Sequence, residues 1–257
     1  MSAVIGREMI DVTRLSGAGA EAASVIYAVG DIHGRLDLLD EMETAIATDI
    51  AASAAERPLI CYVGDYIDRG PNSAQVLDRL CSYSSDTPLR VFLKGNHEDR
   101  LIKFFVEPAE NGPEWQAFGG REALQSYGVA APDKGADADW PRLRDRLAAA
   151  LPESHRSFLK RLRFGLRWRN YILVHAGLNP RRSITQQAPD DLMWIREPFL
   201  SSERDWGFKV VHGHVAADEP VFRANRICID TGAYQSGRLT CIVLNGAGER
   251  LIQTGGP

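Results

Sequence analysis

Nothing in this 257-residue chain suggests a disulfide scaffold: its four cysteines, Cys61, Cys81, Cys228 and Cys241, are scattered and form no C-x-x-C pair. Cys61, Cys228 and Cys241 sit inside apolar, strand-like runs, so buried free thiols are expected rather than disulfides or zinc ligands. No stretch approaches the roughly 20 apolar residues of a membrane span, and no basic segment leads into an apolar one at the N-terminus. A membrane is therefore not an expected partner, and the cytoplasm is the default location. A basic excess is also missing. Lys and Arg number 30 against 34 Asp and Glu, a net charge of -4, so nucleic acid is not expected and any handling of anions must be local. Repeats and low-complexity blocks are lacking too, and nothing fixes an oligomeric state. With 44% apolar and 25% charged residues, the chain has the composition of a globular protein with a sizeable core.

What the sequence does contain is a recurring unit. A short apolar run suited to a buried strand ends abruptly in a turn bearing Gly, Asp or His. Val25–Val29 runs into Gly30-Asp31-Ile32-His33-Gly34, and Leu59–Val63 into Gly64-Asp65-Tyr66-Ile67-Asp68-Arg69-Gly70. Val91–Leu93 leads through Lys94 to Gly95-Asn96-His97-Glu98. Tyr171–Val174 leads to His175-Ala176-Gly177, Val210–Val211 to His212-Gly213-His214, and Ile227–Ile229 to Asp230-Thr231-Gly232. Leu36, Leu39, Met42, Ile46 and Ile50 recur at helical spacing, and 73–83 has a similar pattern. Strand followed by helix, repeated, predicts an α/β layered core, in which the loops at strand C-termini share one edge. Ile227–Ile229, Leu239–Leu244 and Arg250–Gln253 follow without helices and are expected to be antiparallel. Residues 1–24 read as a loosely held lead-in to one domain over 25–257. The region 101–169 reads as an inserted, mostly helical cap with loop breaks near 108–113 and 130–138.

Five of the six histidines, His33, His97, His175, His212 and His214, lie in these strand-end turns, accompanied by Asp31, Asp65 and Asn96. Any one of them alone would read as a structural residue; five at equivalent places would not. The sixth, His155, falls in an amphipathic run with Phe158, Leu159 and Leu162 and reads as a solvated helix position. Imidazole, carboxylate and amide oxygen without thiolate suit Mn, Fe, Zn or Mg rather than a structural zinc site. Two such ions about 3.5–4 Å apart can clamp a phosphoryl group, activate water and stabilise a leaving oxygen. Two carboxylates against two divalent ions leave an excess of about +2, which favours a phosphate dianion.

Gly-Asp-Ile-His-Gly, Gly-Asp-Tyr-Ile-Asp-Arg-Gly, Gly-Asn-His-Glu, His-Ala-Gly and His-Gly-His, in this order, resemble the phosphoprotein phosphatase family of calcineurin-like metallophosphoesterases. The resemblance runs from about Val25 to Leu244. Gly119-Gly120 with Ser126-Tyr127-Gly128, Trp194-Ile195-Arg196-Glu197 and Ile229-Asp230-Thr231-Gly232-Ala233 resemble its bacterial and phage branch. It implies a central β-sandwich of mixed sheets flanked by helices (α+β), with a dinuclear site at one edge. It also implies roles. Asp31 and His33 would bind the first divalent metal, Asp65 would bridge, and Asn96, His175 and His214 would bind the second, with Mn²⁺ the leading choice. Arg69 and Arg196 would hold the substrate phosphate, since a guanidinium can grip two oxygens at once. His97 paired with Asp68 would be the general acid, and His212 would pack or hydrogen-bond near the site. Val215 departs from the Thr usual after His214 in related bacterial sequences.

The expected activity is hydrolysis of a phosphomonoester by water activated at the metals, with a protein carrying phosphoserine or phosphothreonine as substrate. Hydrolysis of diadenosine tetraphosphate or of a small phosphoester is the alternative. Tetraphosphate hydrolases resemble this chain in Gly-Asp and Gly-Asn-His, but typically lack an acid corresponding to Asp68 and carry Asp where Glu98 stands. A non-enzymatic phosphate-binding module would need a missing ligand or acid, and none is missing. The basic run 155–170 and the aromatics Trp115, Phe118 and Tyr127 read as structure: an amphipathic helix entering a strand, and cap core.

Overall fold

The computed structural model describes residues 9–15, 19–53, 55–83, 88–133, 138–246 and 248–255. Two five-stranded mixed sheets face each other. The first contains β1 (Val25–Val29), β2 (Pro58–Tyr62), β3 (Leu89–Phe92), β9 (Leu239–Asn245) and β10 (Gly248–Thr254), in the order β10-β9-β1-β2-β3. The second contains β4 (Gly165–Trp168), β5 (Tyr171–Val174), β6 (Lys209–His212), β7 (Val221–Phe222) and β8 (Arg226–Cys228), in the order β4-β5-β6-β8-β7. The period-two alternation of β1 explains the layering. Ile26 and Ala28 point into the sandwich, against Leu166, Leu173, Val211 and Ile227 of the second sheet. Val25, Tyr27 and Val29 point outward, onto Leu39, Met42 and Ile46 of α1 (Leu36–Ser53). A strand buried on both faces reads as a continuous apolar run, as β1 and β2 do.

The parallel pairs β1–β2 and β2–β3 are joined through α1 and α2 (Ser73–Cys81), which places the first three polar turns at one edge. Parallel pairing of β5, β6 and β8 brings the other three polar turns to the facing edge. The later strands do not all pair as expected. β9 and β10 are antiparallel, but β8 lies in the other sheet, parallel to β6, and the short helix α9 (Ala233–Ser236) separates it from β9. Three residues cannot reveal to which sheet they belong.

Between β3 and β4 lie α3 (Asn96–Val106), α4 (Pro108–Trp115), a π-helical turn (Gln116–Gly120), α5 (Arg121–Ser126), α6 (Trp140–Ala150) and α7 (Glu153–Arg161). The break expected at 108–113 is helical instead: Pro108 takes the first helical position, where its missing N–H costs nothing. The other expected break falls partly outside the described residues, which omit 134–137. His155 is fully buried, not solvated. It shares a face with Phe158 and Leu159 at i, i+3, i+4, and its ring nitrogens meet the Tyr127 hydroxyl at 2.8 Å and the Asp78 carboxylate at 3.0 Å. Part of the expected lead-in is packed as well: Ile10 pairs with Gln187 and Val12 is buried. The four cysteines are free thiols, three of them buried. Among the described residues, no helix is long and apolar enough to cross a membrane.

Candidate metal centre and acid pair

The turns after β1, β2, β3, β5 and β6 converge on Asp65. His33 Nε2 lies 3.4 Å from one Asp65 oxygen, and His175 Nε2 3.4 Å from the other. The other nitrogen of each ring is already committed. His33 Nδ1 sits 2.9 Å from the Ile67 carbonyl, and His175 Nδ1 3.0 Å from that of Val63. A carbonyl can only accept, so Nδ1 carries the proton and Nε2 presents a lone pair toward Asp65. That is the orientation a metal-binding imidazole needs. Asn96 Oδ1 lies 2.8 Å from both His175 Nε2 and His214 Nδ1. Holding this geometry puts His33, Asp65, Asp68, Arg69 and His214 at positive φ, which costs energy in any residue with a Cβ.

Two groups of metal-ligating atoms share Asp65: His33, Asp65 and His97 in one, Asp65, His175 and His214 in the other. Asp31 stands apart from both. One of its oxygens accepts the His214 backbone N–H at 3.0 Å, and the other is buried with no hydrogen-bond partner. His214 Nε2 is similarly buried without a partner. Unpartnered buried polar atoms are costly in a finished structure, and both of these belong to residues at strand-end turns beside Asp65. Their chemistry, carboxylate and neutral imidazole, fits divalent metal ions. Burial pushes His175 and His214 down to about 3 and His33 well below its usual value, which keeps lone pairs free. Burial, then the neighbouring Asp230 and Asp65, push Asp31 up, as desolvation and like charges do for a carboxylate.

Beside this centre lies the pair His97 and Asp68, both buried, with His97 Nδ1 2.7 Å from Asp68 Oδ2. His97 Nε2 faces Asp65 at 3.9 Å and has no hydrogen-bond partner. The Trp115 indole N–H donates to both Asp68 oxygens at 3.1 Å. Burial lowers His97 to about 4, opposed by Asp65 and helped by Arg69 and Arg100. Asp68 is raised, also by burial, with the Trp115 contact opposing. Desolvation thus opposes a protonated imidazole beside Asp68, whereas an anion placed next to His97 would favour one.

Arg69 lies at the rim with its guanidinium 4.8 Å from the centroid of Tyr234, which also meets His33 edge-on at 5.4 Å. Arg196 is exposed, with its charge bearing on His214. His212 is buried, its Nδ1 3.0 Å from the Gly213 carbonyl and its ring edge-on to Phe199 at 5.2 Å. Sequence reasoning gave no role to four residues that shape the centre: Trp115, Tyr234, Asp230 and Glu98. Glu98 is fully buried and accepts the backbone N–H groups of Gly95 and Asp65 at 3.0 Å and Tyr66 at 2.8 Å, tying the second turn to the third. A glutamate at the third position of a helix is a capping signal and could have shown this.

The sequence profile described as Calcineurin-like phosphoesterase matches residues 24–238. Among curated proteins, the bis(5'-nucleosyl)-tetraphosphatase PrpE (asymmetrical) of Bacillus cereus strain AH820 is 23% identical, over 83% of this chain and 88% of its own length. The protein of the same name from Bacillus mycoides strain KBAB4 is 25% identical, over 82% and 87%. Among solved structures, one provisionally named a diadenosine tetraphosphatase superposes with a TM-score of 0.60 at 22% identity, covering 91% of this chain and 95% of the other. A cold-active protein tyrosine phosphatase from a psychrophilic Shewanella gives 0.53 at 15%, covering 94% and 83%. At these identities the two structures establish the fold.

Proposed function

The chain belongs to the calcineurin-like phosphoesterases, and from that premise we propose that it is a protein serine/threonine phosphatase that protonates its leaving group through His97 and Asp68. The 2.7 Å contact of these two buried side chains carries the reading. A serine alkoxide is a very poor leaving group, so a positioned acid matters there, typically by 10²–10⁴-fold. Asp31, His33 and Asp65 would hold one divalent ion, and Asp65, Asn96, His175 and His214 the other, with Mn²⁺ the leading choice. When bound, the ions would polarise the phosphoryl group and activate the attacking water. The protein's own part is orientation and proton control. Asp65 would span the two ions, Arg69 and Arg196 would hold phosphate oxygens, and Asp68 would fix the Nδ1 proton of His97 so that Nε2 faces the ester oxygen. The dianionic phosphate, arriving beside His97, favours the imidazolium that burial otherwise opposes. The helices between 101 and 169 serve as the cap that encloses this side, with Trp115 as their contact to Asp68.

The test compares leaving groups at confirmed metal content. His97→Gln should reduce kcat on a phosphoserine peptide by about 10²-fold or more while p-nitrophenyl phosphate, whose leaving group needs little help, is much less affected. Equal losses on both substrates would remove His97 from the acid role.

Hydrolysis of a dinucleoside tetraphosphate is the second reading, favoured by the names of the Bacillus relatives. A value of kcat/KM for diadenosine tetraphosphate at least about tenfold above that for every phosphopeptide tried, a gap of 1.4 kcal/mol in transition-state stabilisation, would replace the first reading with this one.

A further inference from the structure

The rim next to the acid pair carries an aromatic and cationic cluster that the hydrolytic centre does not use. Phe118 is 46% exposed, whereas its neighbour Trp115 is 1% exposed and belongs to the core. The Arg100 guanidinium lies 3.9 Å from the Phe118 ring centroid and 4.7 Å from that of Trp194, so the cation is held between two rings. Its Nη1 donates to Glu114 at 3.0 Å, while its Nε is buried with no partner. Arg100 reaches electrostatically into the centre: its charge acts on His97, Asp68 and Asp65.

The backbone ties Phe118 to Arg69. Phe118 and Gly119 break the helix in the π-helical turn, with Gly119 at φ 109°. The Gly119 carbonyl accepts the Arg69 backbone N–H at 3.1 Å, and a Cβ on Gly119 would lie 2.5 Å from that nitrogen. A Cβ on Gly120 would similarly strike the Trp115 indole at 2.5 Å. Two glycines thus press the turn against Arg69 on one side and against the Asp68 partner on the other. Consecutive Cα atoms are about 3.8 Å apart, so Phe118 is fixed one residue from the Arg69 contact. An exposed ring whose backbone is anchored one residue from Arg69 gains stacking energy when something flat lies on it.

We propose that Phe118, backed by Arg100 and Trp194, is a subsite that stacks a planar aromatic ring of the phosphoester substrate, next to the phosphate held by Arg69. It rests on the phosphate role given to Arg69 and is independent of which ester is cut. The ring can be a nucleobase or the aryl group of an aryl phosphate, since both present a π face.

Binding to the full-length, manganese-loaded protein tests this with compounds that have no ester bond to cut. One pair is adenosine 5′-phosphonate and ribose 5-phosphonate; the other is phenylphosphonate and methylphosphonate. In at least one pair the ring-bearing compound should bind about tenfold tighter by calorimetry, the worth of one stacked ring. Phe118→Ala should bring that ratio below about threefold, and Phe118→Trp should keep it. Which pair shows the effect tells nucleobase from aryl group. Ringless and ring-bearing compounds of equal affinity, or a preference unchanged in Phe118→Ala, would overturn the subsite. Failure of all four compounds to bind would overturn the phosphate role of Arg69 and the subsite together. The serine/threonine reading fails separately, on the leaving-group comparison.

Discussion

Replacing Trp115 by Phe should damage catalysis selectively, although Trp115 belongs to the core. The indole N–H donates to both oxygens of Asp68 at 3.1 Å, and Asp68 is itself fully buried. A hydrogen bond to a charged group contributes about 1.5–3 kcal/mol, and a buried acceptor left unpaired loses it in full. Through Asp68, that loss reaches His97. Burial already pushes Asp68 upward, and the Trp115 hydrogen bond is the largest influence opposing it. Without the indole, Asp68 moves further toward its neutral form, and a neutral carboxyl cannot stabilise an imidazolium. If the whole loss is felt in the transition state, kcat on a phosphoserine peptide falls by about 10- to 100-fold, at 1.36 kcal/mol per factor of ten. p-Nitrophenyl phosphate should lose about threefold or less, as its leaving group makes little demand on the acid.

The substitution also shrinks a side chain packed on Phe104 at 4.7 Å between centroids, so a stability cost of about 1–3 kcal/mol should appear in the urea midpoint. Kinetics and metal content are therefore measured well below that midpoint. Combined with Asp68→Asn, the Phe variant should add little further loss in kcat, because both act through one contact. Equal losses on the two substrates, or an unchanged kcat on the peptide in a folded, metallated variant, would refute the reasoning.

Three further outcomes are expected. Chelation should abolish activity, and Mn²⁺ should restore it best; full activity in protein shown to be metal-free by elemental analysis would exclude the paired-ion centre. Arg69→Ala should raise KM and also lower kcat, with Arg69→Lys only partly restoring both, since an ammonium lacks the two-pronged contact; kinetics alike in all three proteins would place Arg69 outside the site. Burial lowers His155 below its ordinary 6.5, outweighing the opposing Asp78. The native state therefore excludes a proton that the unfolded chain takes up, so the stabilisation His155 provides is present above pH 6.5 and shrinks as pH falls toward the native value. The difference in urea midpoint between wild type and His155→Gln should accordingly narrow from pH 7.5 to pH 5, and a constant difference would contradict the linkage.

The centre was legible in the sequence because each ligand candidate stands in its own strand-end turn, and an α/β layout sends such turns to one edge. Asp65, His175, His214 and Asn96 met as the turns implied. Periodicity also identified β1, β2, α1 and the β9–β10 pair, whose apolar runs are long enough to fix their type. The two-residue β7 escaped, and β8 was assigned a wrong neighbour, since pairing partners come from long-range packing rather than local pattern. His155 was misread although the signal was present. It stands three and four residues before Phe158 and Leu159, the spacing of a single helix face, and a histidine there can be buried once Tyr127 and Asp78 satisfy both nitrogens.

Trp115, Tyr234 and Phe118 mark a different boundary. Each is an aromatic residue in a segment with core-like composition, and composition cannot tell which ring faces a carboxylate, an arginine or water. Trp115 reaches Asp68 across 47 positions of sequence, and Tyr234 approaches Arg69 from beyond the second sheet. Such contacts depend on how α4, the π-helical turn and α9 dock, and docking is decided by the whole core. The consequence is a division of labour along the chain. The candidate metal ligands and the His97–Asp68 pair sit in strand-end turns, several at positive φ, where the residue kinds alone point to a chemistry. The aromatic residues around them come from the helices between β3 and β4 and from α9, where many side chains would serve equally well for packing. Reaction type is therefore the part written in motifs, whereas a ring such as Phe118, 46% exposed one residue from the Gly119–Arg69 backbone contact, is found only once the helices are docked.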